Sequence, residues 1–204
     1  LRHPHIVSVT DAVEKDGTVA LIMDWVDGPS LAQLLAQNPP TISQVDILAR
    51  QIIHGMAAAH EYGVIHRDLK PANLLLRKRD GKVLVTDFGL TRSIDGSRFT
   101  KTGTMVGTLV YMSPEQVHGQ RRIGPASDVW ALGVILYECL ARQLPFQESE
   151  AMATAAAIAD RSYTPLNKLD GSIPKDLIAT CHACLAKDPG RRPTAEELAR
   201  ALRT

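Results

Sequence analysis

The chain has 204 residues, a formal net charge of +1 and 45% hydrophobic residues, which supplies one substantial core or two small lobes and argues against disorder. Basic residues are interspersed with acidic ones, so the concentrated positive surface of a duplex nucleic-acid binder is not expected. No apolar run approaches the roughly 20 residues of a membrane span, and any membrane tether is expected outside this segment.

The first third of the chain predicts a hairpin followed by two helices. Its first residues, LRHPHIVSV, show neither an initiator methionine nor a secretory pattern, which predicts an internal start. Residues 6–9 and 18–25 are typical of strands joined by the turn EKDG. A short helix is predicted over 31–37. Apolar residues then recur every three or four positions over 43–62, which indicates an amphipathic helix, opened by Ser43 with Asp46 and ended by Gly63.

A dense group of charged and polar residues, HRDLKPAN, follows this helix at residues 66–73; we call it the charged loop. Two apolar runs, NLLL and KVLVT, come next, and they flank Asp80-Gly81, a strong signal for a hairpin turn. The basic run RKRDGK at 77–82 is interpreted as a solvated turn, with phosphate contact as the weaker alternative. The hairpin would bring Asp87 to the same end of the ribbon as the charged loop.

The second half of the chain predicts a long polar segment and then helices. The polar segment, residues 91–108, is longer than an ordinary connection, and such loops are usually functional or disordered. Residues 127–142 are apolar on nearly every face and predict a helix buried in a bundle. Further helices are predicted over 148–160, 174–187 and 194–202, the last opened by a capping box of Thr194 and Glu197.

The three cysteines favour a reducing, cytoplasmic location, because Cys139, Cys181 and Cys184 cannot all pair with one another. Cys181 and Cys184 match C-x-x-C, but they fall in a helical pattern that has no second pair of ligands. Core thiols are therefore the preferred interpretation over a zinc or redox site.

The charged loop and Asp87 together offer the groups that phosphoryl transfer requires. That reaction needs a carboxylate to orient the attacking hydroxyl and a cation held on the phosphates. Magnesium takes carboxylate or amide oxygens together with the phosphates of the substrate. Asp68, Asn73 and Asp87 provide this set of oxygens.

Four motifs resemble the signatures of protein kinases in order and spacing: His66-Arg67-Asp68, Asn73 five residues later, Asp87-Phe88-Gly89, and SPE at 113–115. The resemblance covers essentially the entire chain and implies an α+β, protein-kinase-like fold that starts just before strand 4 of the kinase domain. Residues 1–26 would be the remnant of the N-lobe, with its last two strands and hinge. Residues 27–204 would form the helical C-lobe.

The resemblance also implies the roles of the central residues. Asp68 would be the catalytic base, and Asn73 and Asp87 would hold Mg²⁺. Lys70 would contact the transferred phosphate of ATP, as in kinases specific for serine and threonine. Thr108 would meet Asp68 and Lys70 through its hydroxyl and help to form the floor for the protein substrate.

Adenine binding would involve the hinge. Met23 resembles the residue at the back of the adenine site, Asp24, Trp25 and Val26 resemble the hinge, and Leu75 would lie under the ring. Plain core packing is the alternative for the apolar members.

Regulation would involve the polar segment. Arg67 resembles the arginine that pairs with a phosphorylated residue there, and autophosphorylation in trans would supply the phosphate. The candidate acceptors are Thr100, Thr102 and Thr104, with Thr102 preferred, although threonine-rich loops are also simply soluble.

The resemblance implies structural roles for the remaining residues. Asp128 would hold the backbone of the charged loop, although a favourable helix-dipole position would justify it alone. Glu115 and Arg192 would form a buried ion pair. The packing residues would be His66, Val9, Phe88 and Gly89.

No glycine-rich loop and no strand with the ATP-binding lysine occur in the sequence, which we interpret as truncation. The resemblance predicts a serine/threonine protein kinase that uses ATP and Mg²⁺ to phosphorylate protein substrates, with a bacterial character in GTLVYMSPEQ. The segment by itself is expected to be inactive. The alternatives are a pseudokinase or interaction scaffold, which the intact Asp68, Asn73 and Asp87 disfavour, and a small-molecule phosphotransferase.

Overall fold

The structure, a computed structural model, describes residues 1–16, 18–88 and 106–201, and for residues 106 and 107 the backbone only. The strands β1 (Val9–Lys15) and β2 (Thr18–Met23) form an antiparallel hairpin. The predicted hairpin is therefore confirmed, but the prediction of its first strand over 6–9 was wrong. Residues 5–7 instead pair with a second ribbon, because Val7 N donates to Val85 O and Val85 N to His5 O, each at 2.9 Å.

That second ribbon consists of β3 (Leu74–Leu76) and β4 (Val83–Val85), which pair antiparallel and in register. Its turn contains Gly81 at a φ of 66°, a conformation that glycine adopts without steric cost. The hairpin predicted from Asp80-Gly81 is confirmed. The last residues of the charged loop form a single 3-10 turn (Pro71–Asn73), and β3 follows directly.

The helices α1 (Leu31–Gln37) and α2 (Ile42–Glu61) follow the first hairpin, as predicted. The start of α2 was predicted wrongly. Its N-cap is Thr41, whose hydroxyl accepts from Gln44 N, while the Gln44 side chain accepts from Thr41 N. Two residues with capping side chains, Thr41 and Ser43, stand close together in the sequence, and the apolar period alone does not choose between them.

The longest helix of the second half, α5 (Pro125–Ala141), is buried along most of its length, as predicted. Its Gly133 allows the helix that contains Cys184 to approach closely, since a Cβ at position 133 would lie 2.7 Å from Cys184 Cβ. The other helices are α3 (Val106–Leu109), α4 (Pro114–Val117), α6 (Ala151–Asp160), α7 (Leu166–Leu169), α8 (Lys175–Cys184) and α9 (Ala195–Ala201).

The predicted core thiols are confirmed. Cys139, Cys181 and Cys184 are buried and unbridged, and burial raises the pKa of Cys139 and of Cys184 to about 12. These thiols therefore stay protonated and behave as small apolar side chains.

Helices with a few short antiparallel strands make this an α+β fold, as predicted. The core lies among α2, α5, α8 and the second ribbon, while β1 is exposed along its whole length. Within the described ranges, every helix is too short or too polar to cross a bilayer. The charged loop runs between α2 and the second ribbon, so the core fixes it from both sides.

Candidate active site

His66 connects the charged loop to the end of β4. Its ring is fully buried and its Nε2 lies 2.8 Å from Thr86 O, while Asp68 N lies 3.3 Å from its Nδ1. A carbonyl oxygen only accepts and a backbone N–H only donates, so both bonds require a neutral ring with its proton on Nε2. His66 therefore places the backbone of Asp68 relative to the residue that precedes Asp87.

Asp128, near the start of α5, binds the backbone of the charged loop. Its carboxylate accepts from His66 N at 2.9 Å and from Arg67 N at 2.8 Å. The ring of His60, on α2, donates to the same carboxylate at 2.8 Å. Asp128 is only 2% exposed, and these three donors satisfy a buried charge that would otherwise be costly.

Arg67 has an unusual backbone conformation, with a φ of 67°. The left-handed region disfavours residues with a side chain and persists where the surroundings over-determine it. The bond from Arg67 N to Asp128 supplies one constraint, and the Gln116 side chain supplies another by donating to Arg67 O at 2.8 Å. The Arg67 side chain is exposed to solvent.

Asp68, Lys70 and Thr108 come together in the structure. Lys70 Nζ donates to Asp68 Oδ2 at 2.8 Å and to Thr108 Oγ1 at 3.2 Å. The side chains of Asp68 and Lys70 are 22% and 23% exposed, so the group is open to a ligand. A carboxylate, an ammonium and a hydroxyl thus share one small region, where α3 meets the charged loop.

Asn73 and Asp87 are linked through the backbone. Asn73 Nδ2 donates to Asp68 O at 2.9 Å, and Thr86 N donates to Asn73 O at 3.0 Å, so Asp87 follows directly after a residue bonded to Asn73. Asp87 is exposed and has a φ of 62°. The amide nitrogen of Asn73 is occupied, and its amide oxygen takes part in no described hydrogen bond.

The pair of Asn73 and Asp87 fits magnesium by the nature of its donors, because hard cations take carboxylate and amide oxygens. Within residues 1–16, 18–88 and 106–201, no group of three or more histidine, cysteine, aspartate or glutamate side chains could hold a metal. Two protein oxygens would leave the other positions around a magnesium ion to water or to phosphate oxygens.

A small apolar cluster lies on the other side of β4. Val7, Val26 and Leu84 are buried there, and Met23 and Leu75 pack against them. Asp24 N donates to Ser8 O at 2.9 Å, which ties the segment after β2 to the start of the hairpin, while the indole of Trp25 is 90% exposed. Met23, Val26 and Leu75 thus share one apolar cluster, and the Asp24 and Trp25 side chains lie outside it.

Glu115 and Arg192 form a buried ion pair. The two carboxylate oxygens of Glu115 accept from Arg192 Nη1 at 2.7 Å and Nη2 at 2.9 Å, and Ser127 Oγ donates to the same carboxylate at 2.6 Å. Burial alone would raise the pKa of Glu115, but the hydrogen bonds from Arg192 and Ser127 outweigh it and hold the pKa below its ordinary value. The pair connects α4 to the segment before α9.

The residues that were predicted to pack behind the site differ in their burial in the structure. The Phe88 ring lies 4.8 Å from the His66 ring, whereas Val9 is 54% exposed, so its prediction as a packing residue was wrong. Val9 begins β1 and pairs with Met23 at the edge of the hairpin, where its side chain does not reach the core. Four predicted residues lie outside the described residues: Gly89, Thr100, Thr102 and Thr104.

Three residues that form hydrogen bonds at the site were not predicted from the sequence. His60, Gln116 and Ser127 each bond a residue that is distant in sequence. Gln116 carried a weak signal, because Ser113 and Gln116 fit a capping box, which the structure forms. His60 and Ser127 carried none, since their partners become neighbours only after the chain has folded.

Comparison with known proteins places this chain among kinases. The family model described as "Protein kinase domain" matches residues 1–201. The serine/threonine-protein kinase PkaA of Streptomyces coelicolor is 38% identical and is matched by 100% of this chain, which covers 37% of that protein. The probable serine/threonine-protein kinase PknB of Lactococcus lactis is 37% identical over 97% of this chain and 31% of its own length. The serine/threonine-protein kinase PrkC of Bacillus subtilis is 32% identical over 100% and 32%. The chain thus spans about a third of the length of these relatives.

The Glu115–Arg192 pair generates a prediction about pH. Because the pKa of Glu115 is lower in the folded protein than its ordinary 4.5, the pair stabilises the fold fully above pH 4.5, and this contribution is lost as the pH falls through the folded pKa. At pH 7, Glu115→Gln should lower the free energy of unfolding by about 3–5 kcal/mol, because Arg192 stays buried without its partner. The difference between the variant and the wild type should shrink below pH 4.5.

Urea unfolding at pH 7 and at lower pH values measures this difference. The fluorescence of Trp130 is a suitable local signal, because its ring lies 5.0 Å from the Arg192 guanidinium carbon. Glu14→Gln on the exposed strand β1 is the matched control and should change little at any pH. An equal loss of stability at pH 7 and at pH 3 would contradict the assignment.

Proposed function

Since the chain belongs to the protein kinase family and forms a serine/threonine kinase domain, we propose that the whole protein transfers the γ-phosphate of ATP to serine and threonine hydroxyls of protein substrates. The observation that carries the proposal is the group of Asp68, Lys70 and Thr108, connected by hydrogen bonds at 2.8 and 3.2 Å. Asn73, which offers a further oxygen donor, is bonded to the same loop, since its Nδ2 donates to Asp68 O at 2.9 Å.

In this proposal, Asp68 orients the hydroxyl of the substrate and accepts its proton. The position of its backbone, fixed through His66 and Asp128, supports this role, because a base must be held at a defined distance from the proton it takes. Lys70 stays close enough to Asp68 to stabilise its negative charge and to meet the phosphate as it moves. Thr108 positions Lys70 and borders the space for the substrate chain.

We assign magnesium binding to Asn73 and Asp87. When bound, the ion supplies positive charge that neutralises the phosphates and holds them in line. The protein's part is to keep the two ligands at a fixed separation. The hydrogen bonds of Asn73 to Asp68 and Thr86 support this assignment, since Thr86 directly precedes Asp87.

We assign the adenine to the apolar cluster around Leu75. Met23, Val26 and Leu75 supply the apolar contacts, and the backbone of Asp24 to Val26 supplies the polar ones, as the family resemblance implies. Residues 1–26 would then belong to an N-lobe and 27–204 to the C-lobe. The exposed hairpin supports this division, since apolar side chains on β1 and β2 are left without cover.

Regulation is assigned to Arg67. Its backbone is held at both its N–H and its carbonyl, and its side chain is exposed, so the guanidinium stands ready for an anion. A phosphothreonine at Thr102, or at Thr100 or Thr104, carries about two negative charges and suits that cation. Phosphorylation of one copy by another would install it. The buried, unbridged thiols support a cytoplasmic location for this domain.

The first test replaces the proposed base. In the whole protein, Asp68→Asn should retain the fold and nucleotide binding but slow phosphate transfer to a protein substrate by about 10²–10⁴-fold, the usual contribution of a positioned base. Transfer of labelled phosphate from ATP measures the effect. Asp176→Asn, at an exposed position on α8, is the control and should transfer at the rate of the wild type.

Two outcomes would contradict the proposal. Unchanged turnover of Asp68→Asn would rule out this base. A wild-type protein that binds ATP and magnesium without transferring phosphate to any substrate would indicate a pseudokinase or a scaffold.

The second test addresses regulation. Thr102→Ala should lower activity and remove a phosphate that mass spectrometry detects in the active wild type. Arg67→Ala should lower the activity of the phosphorylated protein to the same level, and the double variant should be no worse, because both changes remove one interaction. Thr100→Ala and Thr104→Ala serve as matched comparisons. Active enzyme without any phosphate on these three threonines would defeat the proposal.

A further inference from the structure

The segment that joins α4 to α5 is basic and exposed. It comprises residues 118–124, HGQRRIG, and we call it the basic loop. Arg121 and Arg122 are both exposed, as is His118. In the part of the chain that the structure describes, neither arginine forms an ion pair or a side-chain hydrogen bond. Two neighbouring guanidinium groups therefore face solvent without a counter-charge.

The basic loop starts and ends next to residues that touch the charged loop. At its start, Gly119 N donates to Gln116 O at 3.0 Å, and the side chain of Gln116 donates to Arg67 O. Four residues after its end, Asp128 accepts from the backbone of the same Arg67. The residues that flank the basic loop on both sides, Gln116 and Asp128, thus bond to the loop that carries Asp68.

The nearby carboxylates are engaged elsewhere. Glu115 is paired with Arg192, Asp128 accepts three hydrogen bonds, and Asp68 is paired with Lys70. The polar segment has more basic than acidic residues. Between residues 89 and 105 it contains one acidic residue, Asp95, against three basic ones, which are Arg92, Arg98 and Lys101. Within the described residues, Arg121 and Arg122 are therefore left without a paired carboxylate, and a carboxylate of another molecule can bind them.

We propose that Arg121 and Arg122 select protein substrates that carry acidic side chains near the acceptor serine or threonine. The inference rests on the proposed function, since it places the acceptor hydroxyl at Asp68. An extended substrate advances about 3.3 Å per residue, so side chains a few positions from the acceptor reach the elements around the charged loop. The planar guanidinium binds a carboxylate with two parallel hydrogen bonds. Nucleic acid is disfavoured as the partner, because the net charge of the chain is only +1.

The test compares matched peptides in the whole protein. Each peptide carries one acceptor threonine, flanked on both sides by Asp and Glu, by Asn and Gln, or by Lys. The wild type should show a higher kcat/KM for the acidic peptide than for the neutral one, through a lower KM. The double variant R121E/R122E should lower the ratio of acidic to neutral kcat/KM roughly tenfold, because attraction is replaced by like-charge repulsion, and it should favour the lysine peptide.

The matched control is Arg191→Glu, at an exposed arginine outside the basic loop, and it should keep the selectivity of the wild type. The preference for the acidic peptide should weaken as salt is added, because exposed charges are screened. A thermal melt of R121E/R122E within a few degrees of the wild type shows that the fold is kept.

Binding is measured separately, by fluorescence anisotropy with a labelled acidic peptide that lacks the acceptor hydroxyl. Equal selectivity and equal binding in the wild type and R121E/R122E would overturn the inference, while continued phosphate transfer would leave the proposed function intact. Weaker binding to R121E/R122E would support the inference even if no peptide were phosphorylated, and that absence of transfer would count against the proposed function alone.

Discussion

The carboxylate of Asp128 is the constraint on which the site depends. It is buried at the start of α5 and accepts hydrogen bonds from two successive backbone N–H groups of the charged loop and from His60 on α2. An ionised carboxylate in that position is tolerable only if all its donors are present. The folded core therefore requires the loop to take this one path, which includes the left-handed conformation of Arg67.

The path of the charged loop determines the positions of the residues to which we assign functions. The neutral ring of His66 bonds both Asp68 N and Thr86 O. At the other end of the loop, Asn73 O accepts a hydrogen bond from Thr86 N. Asp68 is thus connected through the His66 ring and through Asn73 to Thr86, which directly precedes Asp87. On the far side, Gln116 closes the loop against α4, whose Glu115 is held by Arg192. The residues that we propose for catalysis, regulation and substrate selection are consequently connected to one network of hydrogen bonds.

Local patterns in the sequence predicted much of this arrangement. The hairpin turn at Asp80-Gly81, the apolar periodicity of α2 and the uniformly apolar α5 depend on neighbours in sequence, and the structure confirms them. The motifs around Asp68, Asn73 and Asp87 predicted the family, which the comparisons confirm. The roles of these residues followed from the resemblance, whereas the hairpin signal by itself predicted that Asp87 lies at the same end of the ribbon as the charged loop.

Features that depend on distant partners were missed or predicted wrongly. Ile6 was predicted in the first strand of the hairpin, but it bridges to Val85, some eighty positions later. Val9 has an apolar side chain and yet lies exposed at an edge. His60 looked like an ordinary residue near the end of a helix, and its bond to Asp128 arises only when α2 and α5 pack together. In each case a tertiary contact decided the outcome and left no local pattern.

The most direct measurement of the central claim is amide hydrogen exchange at His66 and Arg67 in the wild type and in Asp128→Asn. The asparagine keeps the shape but turns an accepting oxygen into a donating NH₂ group, so it can no longer accept from all three donors. We expect exchange at these two amides to accelerate by at least about tenfold, as for a locally opened segment, while the amide of Val134 within α5 stays protected. Unchanged exchange at both amides in a folded variant would contradict the view that Asp128 holds the loop.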